Sequence, residues 1–375
     1  MKKIFLFSMV IAAAISSCTK ENVIDNSNEG ANNSLNPNAP VEIKLGATNE
    51  VSAAVTRAAI DAWSNTKIGV FALSTSGDWN TNGADGNPNT LWKNVEGTVA
   101  ADGKVSVALN GQPGYYPNNG TSNYSFYGYC LNDAPESIET WGQLSYLSNE
   151  VSTTFTIDGS NDILWGSAVA PQLDGKEGDS NKYDGYNATY FRKGQNAENP
   201  NIKFGHMLTK LQFKAIRHSN YNTSSKLFIK SVKVVDVNTD LKLTIASQTP
   251  ANTGKISTAN GTKGEIIALN DEGASLYPVH DYASLTDVGD EVMLFTTNDN
   301  NTSSFTVNVV LQDDNGATNG ANGQDIIISA PADPGYFEIG KAYKVNITVQ
   351  SLQKIVITAT LTPWDESTPG IDTEL

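Results

Sequence analysis

From residue 41 onward apolar and polar positions alternate with a period of two, the mark of strands that bury one face. Val41, Ile43 and Leu45 alternate with Glu42 and Lys44. Residues 66–73, 105–109, 124–130, 151–157 and 162–169 read as further strands, separated by clusters of Gly, Asn, Asp and Pro. A second series follows at 202–216, 227–237, 241–245, 265–269, 291–296, 305–311, 325–329, 342–349 and 354–361. Residues 174–200 form the most polar long stretch of the body and divide the two series near residue 200. Helical periodicity is weak throughout, with 137–147 its best window. The pattern predicts an all-β chain of two tandem β-sandwich domains, residues 41–200 and 201–375.

The start of the chain reads as an address. Lys2 and Lys3 precede an apolar stretch over 4–15, and the small residues Ser16 and Ser17 lead to Cys18. Such a stretch is too short to span a bilayer. The run Ala14-Ile15-Ser16-Ser17-Cys18 resembles a bacterial lipobox, although Ile15 and Ser17 depart from its usual Leu or Val and Ala or Gly. The resemblance implies a signal peptide over 1–17, acylation of Cys18 and a mature chain of 375 minus 17, or 358, residues. Two or three acyl chains would hold it stably on the outer membrane. Residues 18–40, rich in Asn, Ser, Pro and Gly, read as a disordered tether.

Composition narrows the function. The chain has 375 residues and a net charge of −15, and no cluster of Lys and Arg provides a phosphate-neutralising stripe, so a nucleic-acid partner is not expected. Three histidines and two cysteines leave few soft ligands, so neither a metal nor a cofactor is expected. Cys130 reads as a small buried apolar residue. His206 shares strand parity with Ile202, Phe204 and Leu208 and reads as a buried histidine held by a backbone partner. The oxygen-rich runs at 313–316 and 298–301 could attract calcium but lack EF-hand spacing, and read as turns. With no phosphate loop or nucleophile elbow in the chain, no enzyme is expected.

Four local patterns carry a family resemblance. They are Thr56-Arg57-Ala58 before Trp63 and the 67–71 strand; Ile163-Leu164-Trp165-Gly166; Phe204-Gly205-His206-Met207-Leu208 running on to Lys210 and Leu211; and Tyr343-Lys344-Val345 closing towards Thr362-Pro363-Trp364. Together they resemble the fimbrillin family, the type V pilus subunits of Bacteroidales-type bacteria. The resemblance implies two transthyretin-like Greek-key sandwiches and a lipoprotein precursor. It also implies a surface fimbrium built with other fimbrial subunits, a contribution to cell adhesion, and maturation by an arginine-specific protease. Arg57 stands where that cut would fall, making Ala58 the first residue of a chain of 375 minus 57, or 318, residues.

The released segment would carry the alternating stretches 41–45 and 51–55, each able to complete a sheet. Losing a strand exposes an apolar groove flanked by unpaired backbone groups, an acceptor for another chain's strand. A donor of about seven residues burying about four apolar side chains gains roughly 1.5–3 kcal/mol from each, against roughly 1–2 kcal/mol per residue of ordering entropy. Assembly is therefore favoured chiefly where the groove already exists. The donor candidate is 355–361, with Ile355, Ile357, Ala359 and Leu361 on one face; the same run equally reads as the last core strand of its own domain. The 375 minus 364, or 11, residues after Trp364 point to a shaft or generic subunit rather than a tip. The alternative is a monomeric surface lipoprotein that binds a glycan, host or bacterial surface ligand through the aromatics Trp79, Trp92, Tyr115, Tyr116 and Trp141.

Overall fold

The first strand series becomes β1 (Leu45–Asn49), β2 (Thr66–Ser74), β3 (Thr90–Val99), β4 (Lys104–Val107), β5 (Tyr124–Cys130), β6 (Gln143–Tyr146), β7 (Glu150–Thr156) and β8 (Leu164–Ala168), followed by a short helix α1 (Ala188–Lys193) and β9 (Asn201–His206). The computed structural model describes residues 39–49, 63–75, 77–79, 89–107, 109, 112–118, 122–131, 138, 141–169, 186–193, 198–218, 226–270, 277–278, 285–297 and 301–362. Seven of these strands, in the order β1-β4-β3-β2-β5-β8-β9, form a closed barrel. Closure comes from a parallel ladder that pairs Gly46 with Asn201 and Asn49 with Phe204. Where the sequence pattern predicts a sandwich the earlier strands thus close into a barrel with no open edge along this path, the fullest answer a sheet has to the problem of unpaired backbone.

The second series becomes β10 (Thr209–Arg217), β11 (Leu227–Asn238), β12 (Asp240–Ser247), β13 (Lys255–Thr258), β14 (Lys263–Asn270), β15 (Tyr277–Pro278), β16 (Thr286–Asp287), β17 (Val292–Leu294), β18 (Ser304–Asp313), β19 (Gln324–Ser329), β20 (Ala342–Ser351) and β21 (Lys354–Thr362). One sheet runs β16-β10-β20-β21, with β17 also on β10, and the other runs β14-β11-β18-β19, with β15 also on β11. Alternation is clean where the two sheets share a core: Val307, Val309 and Leu311 of β18 and Val345, Ile347 and Val349 of β20 are fully buried. Strand pairing crosses the divide near residue 200 in two places. β9 closes the barrel of the earlier strands, and β12 pairs with β7 in the four-stranded sheet β13-β12-β7-β6. All of these strands lie in one compact unit, Asn38–Leu375.

Several details differ from the sequence expectation. Within 137–147 the chain forms β6 rather than a helix, because Leu144 and Tyr146 pack against the core at two-residue spacing. The helix lies instead inside the polar divide, where Asn187 caps it by accepting from the Tyr190 N–H at 2.8 Å. The single span 202–216 breaks at Met207 and Leu208 into β9 and β10, each belonging to a different sheet. β3 escapes an alternation test because it carries register shifts against β2 and a left-handed residue, Asn94, at φ 48°.

Phe204 on β9 is fully buried beneath the barrel, with its ring 5.3 Å from that of Trp63 in an edge-on arrangement. Phe204→Ala should lower stability by about 3–5 kcal/mol, read as a shift in denaturant midpoint with little change in slope.

Candidate functional site

Two strands stand out by their pairing among the described residues, one with two partners and one with a single partner. β1 is the first kind. Val41 to Ala47 is stitched in from both sides: Ile43 N–H donates to Gly114 O, Ala47 N–H to Gly103 O, and Gly46 N–H to Pro200 O, while Tyr116 N–H donates to Val41 O. Leu45 pairs with Val105 of β4, and Ala47 with Ile202 of β9. The side chains of Ile43, Leu45 and Ala47 all point into the core, at 7%, 7% and 2% exposure. This part of the chain fills a slot that would otherwise be a gap between β4 and β9.

Arg192 on α1 clamps the entry of the same segment. Its guanidinium donates through Nε to the Ala39 carbonyl at 3.0 Å and through Nη2 to the same oxygen and to Asn118 Oδ1. A planar fork held this way fixes backbone better than an ammonium would. No motif marked Arg192; its role arises because α1 folds back over the barrel mouth through the stacked rings of Tyr116 and Phe191, 5.3 Å apart.

β21 is the strand with one partner among the described residues. It pairs along its length with β20, from Ala342 with Thr362 to Ser351 with Lys354, and ends the order of its sheet. Ile355 is buried and Ile357 and Ala359 are half-buried, as their shared parity predicts, but Leu361 of the same parity is 51% exposed. On the other face Val356 is 40% exposed. β19, the last strand of the facing sheet, lies alongside β21 and presents Ile327 at 68% exposure. This margin of the sandwich is apolar and uncapped among the described residues.

The expected acylation site Cys18 and the expected cleavage residues Arg57 and Ala58 lie outside the described residues, as do Pro363 and Trp364. The other two arginines are built into the fold, Arg192 in α1 and Arg217 at the end of β10.

The aromatic binding platform is corrected by the fold. Trp79, Trp92, Tyr116 and Trp141 are 2–4% exposed, and only Tyr115, at 46%, faces solvent. Burial pushes the Tyr116 hydroxyl well above its usual range, as expected for a ring in a packed core. These rings flank turns in sequence but fold inward, since only the core offers enough apolar surface to cover them.

His206 is buried as its parity predicts, but its partner is a side chain rather than backbone. Nδ1 lies 2.9 Å from Asp162 Oδ1, and both side chains are fully buried. Further along, Lys210 pairs with Glu291 at 3.3 Å, and Gln212 also bonds Glu291. The oxygen-rich run at 313–316 is a turn: Asp313 Oδ1 accepts from the N–H groups of Asn315 and Ala317. Among the described residues no group of three His, Cys, Asp or Glu side chains could hold a metal ion.

The short motifs now have physical content. Trp165 donates from Nε1 to Ile245 O at 2.9 Å, tying barrel to four-stranded sheet. At Gly166 a Cβ would stand 2.4 Å from Lys203 O, so only glycine lets β8 approach β9 there. The Phe204 to Lys210 run carries the chain from barrel to sandwich, and Tyr343 on β20 accepts from the Glu338 N–H at 3.0 Å. A family model described as fimbrillin-like matches residues 56–364. The chain belongs to the fimbrillin-like family. A fimbrial protein from Bacteroides vulgatus shares the fold at a TM-score of 0.53 and 13% identity, covering 86% of this chain and 99% of that one. A protein from Bacteroides uniformis assigned to cell adhesion aligns with a TM-score of 0.47 and 17% identity, over 87% of this chain and 99% of that one. A comparison with curated protein sequences finds no match. Membership of this family makes the chain a cell-surface subunit of fimbrial type that assembles with other fimbrial subunits.

Arg192→Ala should free the entry to β1 while leaving the barrel folded. Amide exchange in residues 39–43 should accelerate several-fold, with a global stability loss of only about 1–2 kcal/mol.

Proposed function

We propose that this fimbrillin-like chain is made as a lipid-anchored precursor, acylated at Cys18, in which β1 occupies its own acceptor slot. In this reading an arginine-specific cut after Arg57 frees β1, and the β21 strand of another subunit then replaces it. Polymers built in this way would carry adhesion at the cell surface.

The observation that supports the reading best is a match between two strands. Ile43, Leu45 and Ala47 enter the slot at two-residue spacing, and Ile355, Ile357 and Ala359 repeat the same order of large, large and small side chains. Thr48 and Thr360 follow in both runs. Among the described residues β21 is held along one edge alone, by β20, and its inward face is incompletely covered, so it can leave its own sheet more readily than a central strand and offer both edges to the β4 and β9 of another subunit. The buried Ala47 position sets a size limit, because its strand lies between β4 and β9 with Ile202 directly opposite.

The direct experiment treats the purified chain with an arginine-specific protease and follows the new N-terminus by mass spectrometry and the assembly state by size exclusion and electron microscopy. A single cut giving Ala58, with ladders or filaments, supports the reading; a chain cut cleanly that stays monomeric opposes it. Ala359→Leu should suppress assembly of the cut chain, since the slot that holds Ala47 has no room for the larger side chain. Ala359 is only half-buried at home, so the variant should keep a melting temperature within a few degrees of the parent's.

A further inference from the structure

On the outer face of the sheet β14-β11-β18 lies an open cleft of about 590 Å3, away from both β1 and β21. That volume falls within the roughly 300–1,000 Å3 of small-ligand sites. Its floor is made by an irregularity. β11 shifts register against β18 between Ile229 and Ser231, so that Lys230 is an extra residue with no opposite number. Ser231 pairs with Val310 and Asn270 and faces the cleft with them. Although it faces outward, Ser231 is only 6% exposed, and its Oγ has no hydrogen-bond partner. A buried hydroxyl left without a partner is unfavourable, so an alanine would cost the fold less at this position.

The wall opposite is held in place. Asn319 is buried in the loop after β18 and bonds the Leu311 N–H at 2.9 Å and the Val309 O at 2.8 Å. Asn308 donates through Nδ2 to Asn322 O at 2.9 Å and to Asp325 Oδ1 at 2.6 Å, which leaves its own Oδ1 as an acceptor towards the cleft. Such anchoring removes the cost of ordering the loop when a ligand arrives. The charges are unequal. Lys233 is neutralised by Glu265 at 2.8 Å, whereas Lys230 has no ion-pair partner among the described residues. In a chain of net charge −15 this is a local cation beside an unsatisfied hydroxyl.

We infer that this cleft binds a carboxylated saccharide, with the Lys230 ammonium on the carboxylate and Ser231 Oγ and Asn308 Oδ1 on sugar hydroxyls. The mixture of one fixed charge with neutral donors and acceptors fits a polyhydroxylated anion better than an acidic peptide, whose backbone would seek an open strand edge. Aromatic rings, which would favour neutral sugars by stacking, are missing from the lining among the described residues. The inference stands apart from strand exchange, because neither β1 nor β21 lines the cleft.

The test titrates the purified full chain with trigalacturonate by calorimetry at low and physiological salt, beside neutral galactotriose and a triglutamate peptide. Trigalacturonate should bind, more weakly as salt rises, and more tightly than either control. Lys230→Gln should weaken it about tenfold, the loss of one charge-assisted hydrogen bond. Ser231→Ala should weaken it several-fold while keeping or raising the melting temperature, a combination that a purely structural role would not give. Absence of binding at millimolar trigalacturonate overturns the inference. So does equal binding of galactotriose, equal binding of triglutamate, or binding that both variants leave unchanged.

Discussion

The ladder that β1 shares with β4 and β9 is the interaction on which the barrel rests. Main-chain N–H and C=O groups on those two strands have to find partners, and a single short segment satisfies both. The three inward side chains of that segment close the core at the same place. Backbone pairing and apolar burial therefore coincide there, so neither can be lost without the other. Arg192 and the folded-back α1 add a third hold at the entry, made of one guanidinium fork and a stack of rings.

The remaining domain is organised differently. Its two sheets share a deep apolar core, yet β19 and β21 end their sheets side by side, leaving isoleucine, valine and leucine side chains facing outward. Edge strands in stable monomers are normally blunted by charges, prolines or bulges. β21 has Lys354 at its start and no proline within the strand, so this edge is poorly defended. A buried hydrogen bond, His206 with Asp162, and a buried ion pair, Lys210 with Glu291, mark the passage between barrel and sandwich. Their worth lies in geometry more than in energy: a polar group that must meet its partner in the interior permits few alternative alignments of the strands around it.

Alternation made most of the strands legible, because a face that is buried forces period two. β5 and β18 lie within a residue or two of where the pattern puts them. Where the fold departed from the pattern, a tertiary contact had overridden it. β3 bends around Asn94, and β6 pairs with its chain neighbour β7 while Tyr146 packs its ring 6.2 Å from that of Phe71 on β2. Trp79 and Trp92 sit beside turn-rich sequence and were legible only as aromatics, since nothing local says whether a ring beside a turn folds in or out. Of the features behind the proposed assembly, the apolar face of β21 was visible in Ile355, Ile357 and Ala359. The clamp by Arg192 and the cleft at Ser231 were not, for one depends on a helix folding back and the other on a bulge, and neither leaves a periodic trace.

The parallel pairing of β1 with β9 has a consequence for symmetry. In the proposed strand exchange, an incoming strand that reproduces β1's side-chain order must also reproduce its direction, parallel to β9 and antiparallel to β4. The surface that gives and the surface that receives are then different parts of the molecule, one at the uncapped margin of the sandwich and one in the barrel wall. Such a contact is heterologous: a two-fold axis cannot relate its halves, and each subunit added leaves one giver and one receiver unsatisfied at opposite ends. Growth by that exchange would have a polarity fixed by one parallel ladder, and what it would build by repetition is a fibre with two unlike ends.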